Sequence, residues 1–189
     1  AGPLAFIFAA GAIGQDVSSG TLQLLLVRPV TRPEYLLSRW LASVIGALGL
    51  TLFMFALGAL VLMLKSEPPA AGELLRMALE AASAAAGSAA VMIMLSTLAG
   101  GLGDVGLYFS SFITLQMLSG VAQFEHWSWL ERATAELQGV LGPQLSFAWA
   151  AQHMPVSWFA VVSWASTITL ALTIGLARLN RRELSYAAG

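Results

Sequence analysis

Long uncharged apolar stretches alternate along this chain with short polar ones, on a scale too coarse for a water-soluble fold. Leu41 to Leu64 and Ala81 to Leu102 carry no charged residue at all. Each is long enough to cross a bilayer, which takes roughly 20 apolar residues at about 1.5 Å per residue. Apolar runs set against polar punctuation predict five membrane segments, at 1–14, 38–64, 74–100, 105–122 and 157–178. The first is too short to span and opens at Ala1 already inside an apolar run, so at least one further helix is expected upstream. Lys65 to Glu73, with Pro68 and Pro69, reads as a loop, and Gly100 to Asp104 as a glycine-rich turn.

Two stretches do not fit this alternation. Gln123 to Pro155 is too polar to span twice and too apolar for a plain loop. Phe124, Trp127, Leu130, Leu137, Val140 and Leu141 fall near helical spacing, which predicts one or two short interfacial or re-entrant helices. Gln15 to Arg39 is polar at both ends and amphipathic inside. Ser18 or Ser19 can cap a short helix in which Leu22, Leu25 and Leu26 share a face, and Pro29 stops it. Thr31 and Glu34 have the spacing of a capping box for a second helix that carries Pro33 in its first turn and runs on into the membrane. A helix as short as the first is unstable alone in water and needs a surface to cover: the bilayer, the chain's own helices or a partner.

Composition sharpens the class. Of 189 residues, 58% are hydrophobic and 10% charged, against about a quarter charged in an ordinary soluble domain. Mean hydropathy is +0.78. The net charge of −1 gives no reason to expect nucleic acid as a partner. With no cysteine, disulfide and thiolate chemistry are excluded. Basic residues orient the segments, because Lys and Arg accumulate on the cytoplasmic side. Placing 15–38 and 179–189 there, with Arg39 and Arg178 at their membrane borders, gathers Arg28, Arg32, Arg39, Arg178, Arg181 and Arg182 on one side and leaves Lys65, Arg76 and Arg132 outside. Segment 123–155 is then extracytoplasmic, with Trp127, Trp129, Trp149 and Trp158 at headgroup level.

Little in the chain can do covalent chemistry. A phosphate-binding loop of the form G-x-x-x-x-G-K-[ST] needs a lysine after glycine, and the only lysine, Lys65, follows Leu64. His126 and His153 have no metal-ligand pattern around them, and both read as interfacial. Glu80 lies four residues beyond Arg76, the spacing of an ion pair near the outer interface. The alanine-rich run from Ala81 to Ala90, with Ser83, Gly87 and Ser88, reads as a face that lets helix backbones approach closely. No catalytic, metal or cofactor site is expected. An intramembrane hydrolase and a non-transporting membrane scaffold stand as alternatives to a transporter.

The stretch Ile13 to Arg39 resembles the signature of ABC-2 type transporter permeases: an acid four residues before Gly-Thr-Leu, a leucine run, Pro-x-Ser/Thr-Arg, and a basic residue ten after that proline. Here these are Asp16, Gly20, Thr21, Leu22, Leu24, Leu25, Pro29, Thr31, Arg32 and Arg39. The tail Arg178 to Leu184 is similar to the basic tail of such permeases. The resemblance implies an all-α, polytopic transmembrane domain of the ABC-2 (type V exporter-like) kind over 1–189, with six helices where about five are present. It also implies two such subunits, expected as a homodimer, forming the pore, and two cytoplasmic ATPase subunits that bind ATP and Mg. The implied docking surface for the ATPase is Asp16, Ser19, Gly20, Thr21, Leu22, Gln23, Leu25, Leu26, Arg28, Pro29 and Arg32. Ser18 stands where many members carry a second acid. Membrane lipids and a periplasmic accessory protein complete the implied partners, in a bacterial plasma or inner membrane.

The orientation has a direct test. With no native cysteine to interfere, Ser19→Cys and Ser66→Cys are expected to react with an impermeant thiol reagent from opposite sides of the membrane. Labelling from one side would remove the five-segment arrangement.

Overall fold

The computed structural model describes residue 9 and residues 31–65, 70–98, 103–147 and 157–181. All of the regular structure among them is helical. In chain order α1 is Arg32–Leu64, α2 Ala71–Leu98, α3 Gly103–Phe124, α4 Ser128–Leu141 and α5 Trp158–Arg181. Four of these, all but α4, are long and apolar enough to cross a membrane. The expected first segment and the short amphipathic helix at Ser19 to Arg28 lie outside the described residues.

The start of α1 and the end of α3 each have a local reason. Thr31 closes a capping box on α1, its Oγ1 accepting from the Glu34 N–H while the Glu34 carboxylate accepts from the Thr31 N–H at 2.8 Å. The span is therefore continuous from Arg32, six residues earlier than its apolar run alone indicates, because the cap and Pro33 start the helix before the hydrophobic stretch does. At 33 residues α1 is about 50 Å long, well beyond the roughly 30 Å hydrocarbon core. At the end of α3 the chain turns through His126, whose φ of 56° is left-handed. Trp127 N–H then reaches back to the Ala122 carbonyl at 2.9 Å, a closure that satisfies an end carbonyl of the helix. His126 thus has a local structural job as the residue that reverses the chain.

The bundle is organised around α2. Thirteen of its 28 residues are buried, against six of 33 in α1 and four of 24 in α5. It packs against α5 and α1, and more lightly against α3. Met92 and Ile93 are fully buried in its last third, with Ala85 and Ala89 in the same cluster together with Ala9 from the first apolar run. By contrast α1, α3 and α5 turn large apolar side chains outward, among them Leu52, Phe53, Met54, Ile113, Met117 and Val162. In water such a surface would drive aggregation. In a bilayer it is the ordinary lipid- or subunit-facing surface of a spanning helix.

Small residues let α2 do more than pack. The Trp40 indole N–H of α1 donates to the Ala86 carbonyl at 3.0 Å, and the Trp164 indole N–H of α5 donates to the Ser83 carbonyl at 3.1 Å. Both carbonyls belong to the run of alanine, serine and glycine, where no bulky side chain screens the backbone. Each indole N–H needs a partner when removed from water, and a carbonyl has a second lone pair to offer. Truncating the core is expected to be costly: Met92→Ala should lower the stability of the detergent-solubilised protein by about 2–5 kcal/mol, read as a drop in thermal unfolding temperature with the helical signal intact before the transition.

Candidate functional site

The implied docking stretch is mostly outside the described residues. Asp16, Ser19, Gly20, Thr21, Leu22, Gln23, Leu25, Leu26, Arg28 and Pro29 all fall there, and Arg32 alone is placed. Its guanidinium Nη1 donates to the Asn180 carbonyl at 3.0 Å and to the Leu179 carbonyl at 3.3 Å. These are among the end carbonyls of α5, which have no partner within the helix, and a cation is favoured at that negative end. Nearby, Gly175 of α5 lies within ordinary contact distance of Leu36 of α1 and of Met94 and Thr97 of α2. One end of the bundle therefore joins the start of α1, the end of α2 and the end of α5. Arg32, the first residue of α1 and within the 15–38 stretch, fastens the start of α1 to the last helix.

At the opposite end residues 123–147 make a second site. Helix α4 doubles back against α3, so that Leu137, Val140 and Leu141 share a crevice with Ser110, Ser111, Thr114 and Leu115. Beyond α4 the chain is extended over 143–147 and runs back along α2. Pro143 meets α2 at Gly87, where an added Cβ would collide with the Pro143 carbonyl oxygen and lie 2.7 Å from its Cγ. Gly87 is sixteen residues beyond Ala71, about 24 Å along α2 and so near its middle. From there Leu145 N–H donates to Ser83 Oγ at 2.9 Å, and Phe147 N–H donates to Glu80 Oε1 at 3.0 Å. The chain has entered beside α3 and withdrawn beside α2 on the same side. Of the two possibilities left open for this segment, α4 is re-entrant rather than laid flat on the surface.

Glu80, Ser83 and Gly87 stand at i, i+3 and i+7 and so share one face of α2. That face explains why non-helical backbone survives at this depth, since each unpaired N–H in hydrocarbon costs several kcal/mol. Ser83 Oγ donates its own proton to the Glu80 carbonyl at 2.8 Å, which leaves its lone pairs for Leu145 N–H. Glu80 also lies 3.8 Å from Arg76, which binds Glu73 more closely at 3.1 Å. The expected Arg76–Glu80 pair is thus present, while the larger role of Glu80, receiving Phe147 N–H, was not legible in the spacing. Likewise Ser83 and Gly87 admit an extended strand of backbone where a neighbouring helix was expected. A signal was available in principle: a glutamate, a serine and a glycine on one stripe of a spanning helix, followed later by Gly142-Pro143.

Ser110, Ser111, Ser166, Thr167, Thr169 and Thr173 donate to carbonyls of their own helices three or four residues back. Among the described residues no three of His, Asp and Glu gather where a metal ion could be held. The fold and its polar sites define a polytopic helical membrane domain with a re-entrant element at one end and an arginine-fastened junction at the other. A family model for ABC-2 family transporter proteins matches residues 1–184, and the chain belongs to that family. No curated protein and no solved structure matches it. It is accordingly a membrane-embedded transport permease.

The re-entrant face can be tested residue by residue. Ser83→Ala removes the acceptor for Leu145 N–H and should cost about 1–3 kcal/mol. Gly87→Val should be worse, because its side chain must displace backbone. Glu80→Gln keeps an acceptor oxygen and should be tolerated. The expected order of thermal stability is Glu80→Gln above Ser83→Ala above Gly87→Val; equal stability of all three would dissociate the extended segment from α2.

Proposed function

We propose that this permease works as one subunit of an ATP-driven exporter in which a separate cytoplasmic ATPase docks on the stretch 15–38. The reading is supported by the Arg32 junction. A docked loop can move a membrane domain only if it is fastened to something beyond its own helix, and Arg32 fastens the start of α1 to the end of α5. Closure of two ATPase subunits would then shift α1 and α5 together as a rigid body, exchanging inward-closed and outward-open arrangements of two permease subunits. ATP and Mg reside in the ATPase, and no group of this chain takes part in hydrolysis. A homodimer in a bacterial inner membrane, with a periplasmic accessory protein, completes the assembly we envisage.

Docking and transmission separate experimentally. Gln23→Glu and Arg28→Glu, on the polar face of the docking helix, are expected to reduce recovery of the ATPase with the tagged permease. Arg32→Lys keeps the charge but replaces the planar guanidinium, whose Nη1 reaches both carbonyls, with a differently placed ammonium. It should leave ATPase recovery intact while lowering transport-coupled ATP hydrolysis about tenfold, the weight of roughly 1.4 kcal/mol. Normal recovery and coupling in all the variants would make the stretch a structural anchor only.

A further inference from the structure

Helix α3 carries an amide at a depth where lipid can offer it nothing. Gln116 is thirteen residues beyond Gly103 and eight before Phe124, about 20 Å and 12 Å from the two ends of the helix. It therefore lies inside the hydrocarbon core, out of reach of either headgroup layer. Among the described residues it is the only side-chain amide more than two turns from an end of any of the four spans. The side chain is exposed on the surface of the subunit, and none of the described residues pairs with it. Ser110 and Ser111 of the same helix return their protons to the Leu107 carbonyl. A glutamine, with two N–H donors and a carbonyl to satisfy, has no such outlet on its own helix. Against lipid alone its donors and acceptor would stay unpaired, which hydrocarbon penalises heavily.

The surroundings of Gln116 decide what can meet it. Ser111, Thr114 and Leu115 lie on the side of α3 that forms the crevice with α4. Gln116 is on the other side, with Phe109, Phe112 and Ile113 at i−7, i−4 and i−3 and Gly120 at i+4, all of them exposed. A Cβ added at Gly120 would meet nothing within 4 Å, so the close helix approach that a glycine permits is left unused within the subunit. An amide presents a donor and an acceptor side by side, so two amides related by a two-fold axis satisfy each other through a pair of hydrogen bonds. We propose that this face of α3 is where two copies of the chain meet, each Gln116 amide pairing with the partner subunit's Gln116. Gly120, one turn away, lets the two backbones come close enough for the amides to reach, and Phe112 and Ile113 pack around them. The proposal rests on the two-permease assembly and adds the face that makes it, and it does not depend on ATPase docking.

The full chain is expressed in bacterial membranes with one cysteine introduced at a time and oxidised with copper phenanthroline. Gln116→Cys is expected to give a disulfide-linked pair in high yield, and Leu170→Cys, on the outer face of α5, to give little. In mild detergent Gln116→Leu should raise the dissociation constant of the dimer about tenfold, measured by mass photometry across a dilution series. Gly120→Leu should weaken the dimer as well, by holding the helices apart. Neither substitution should lower the thermal unfolding temperature of the subunit diluted to monomer, because neither side chain contributes to its interior. A dimer that persists in both variants and gives no Gln116→Cys cross-link would overturn this interface while leaving the two-subunit assembly standing. A wild-type chain that is monomeric in membranes would overturn both. Labelling of Gln116→Cys by an impermeant maleimide in place of cross-linking would overturn the proposal by placing the amide on a water-filled path. Equal cross-linking at Leu170→Cys would overturn it too, by showing that the contacts are collisions.

Discussion

Polar groups removed from water must find partners within the protein, and in this molecule α2 is the element that supplies them. Its run of alanine, serine and glycine bares the backbone, so that Ala86 and Ser83 carbonyls receive indole N–H groups from α1 and α5. The Glu80, Ser83 and Gly87 stripe receives the extended chain that follows α4. In the hydrocarbon region there is no hydrophobic force to bring helices together, and association rests on close packing and such hydrogen bonds. A larger side chain at any of these positions would therefore break two things at once, the close approach and the polar pairing that the approach permits.

The same economy separates a fixed part of the molecule from surfaces left to other contacts. Helix α2 is buried by the subunit itself, whereas α1, α3 and α5 each keep an apolar outer face. For a transport permease this division suits rearrangement. Faces that meet lipid or a second subunit through dispersion alone can slide, while contacts made by directed hydrogen bonds hold their geometry. Arg32 belongs to the second kind. Its position as the first residue of α1, within the 15–38 stretch and bonded to the end of α5, is what gives the proposed ATPase docking a route into two helices rather than one.

The sequence by itself determined that this is a helical membrane protein, where the four described spans lie to within six residues at each end, and that residues 13–39 carry the mark of the ABC-2 transporters. Those features are local: twenty or so apolar residues in a row can satisfy their backbone in a bilayer only as a helix, and the Thr31 and Glu34 box is written within four residues. The amphipathic spacing in 123–155 likewise announced a short helix. What spacing could not decide was whether α4 lies on the membrane or enters it, because the answer depends on a partner more than 50 residues away. Only the tertiary structure brings Gly87 against Pro143 and Glu80 against Phe147, and Arg32 against the carbonyls of Leu179 and Asn180. Each of these contacts uses a backbone group on one side, and a backbone N–H or carbonyl is the same at every residue, so no side-chain pattern in the sequence marks it as a partner.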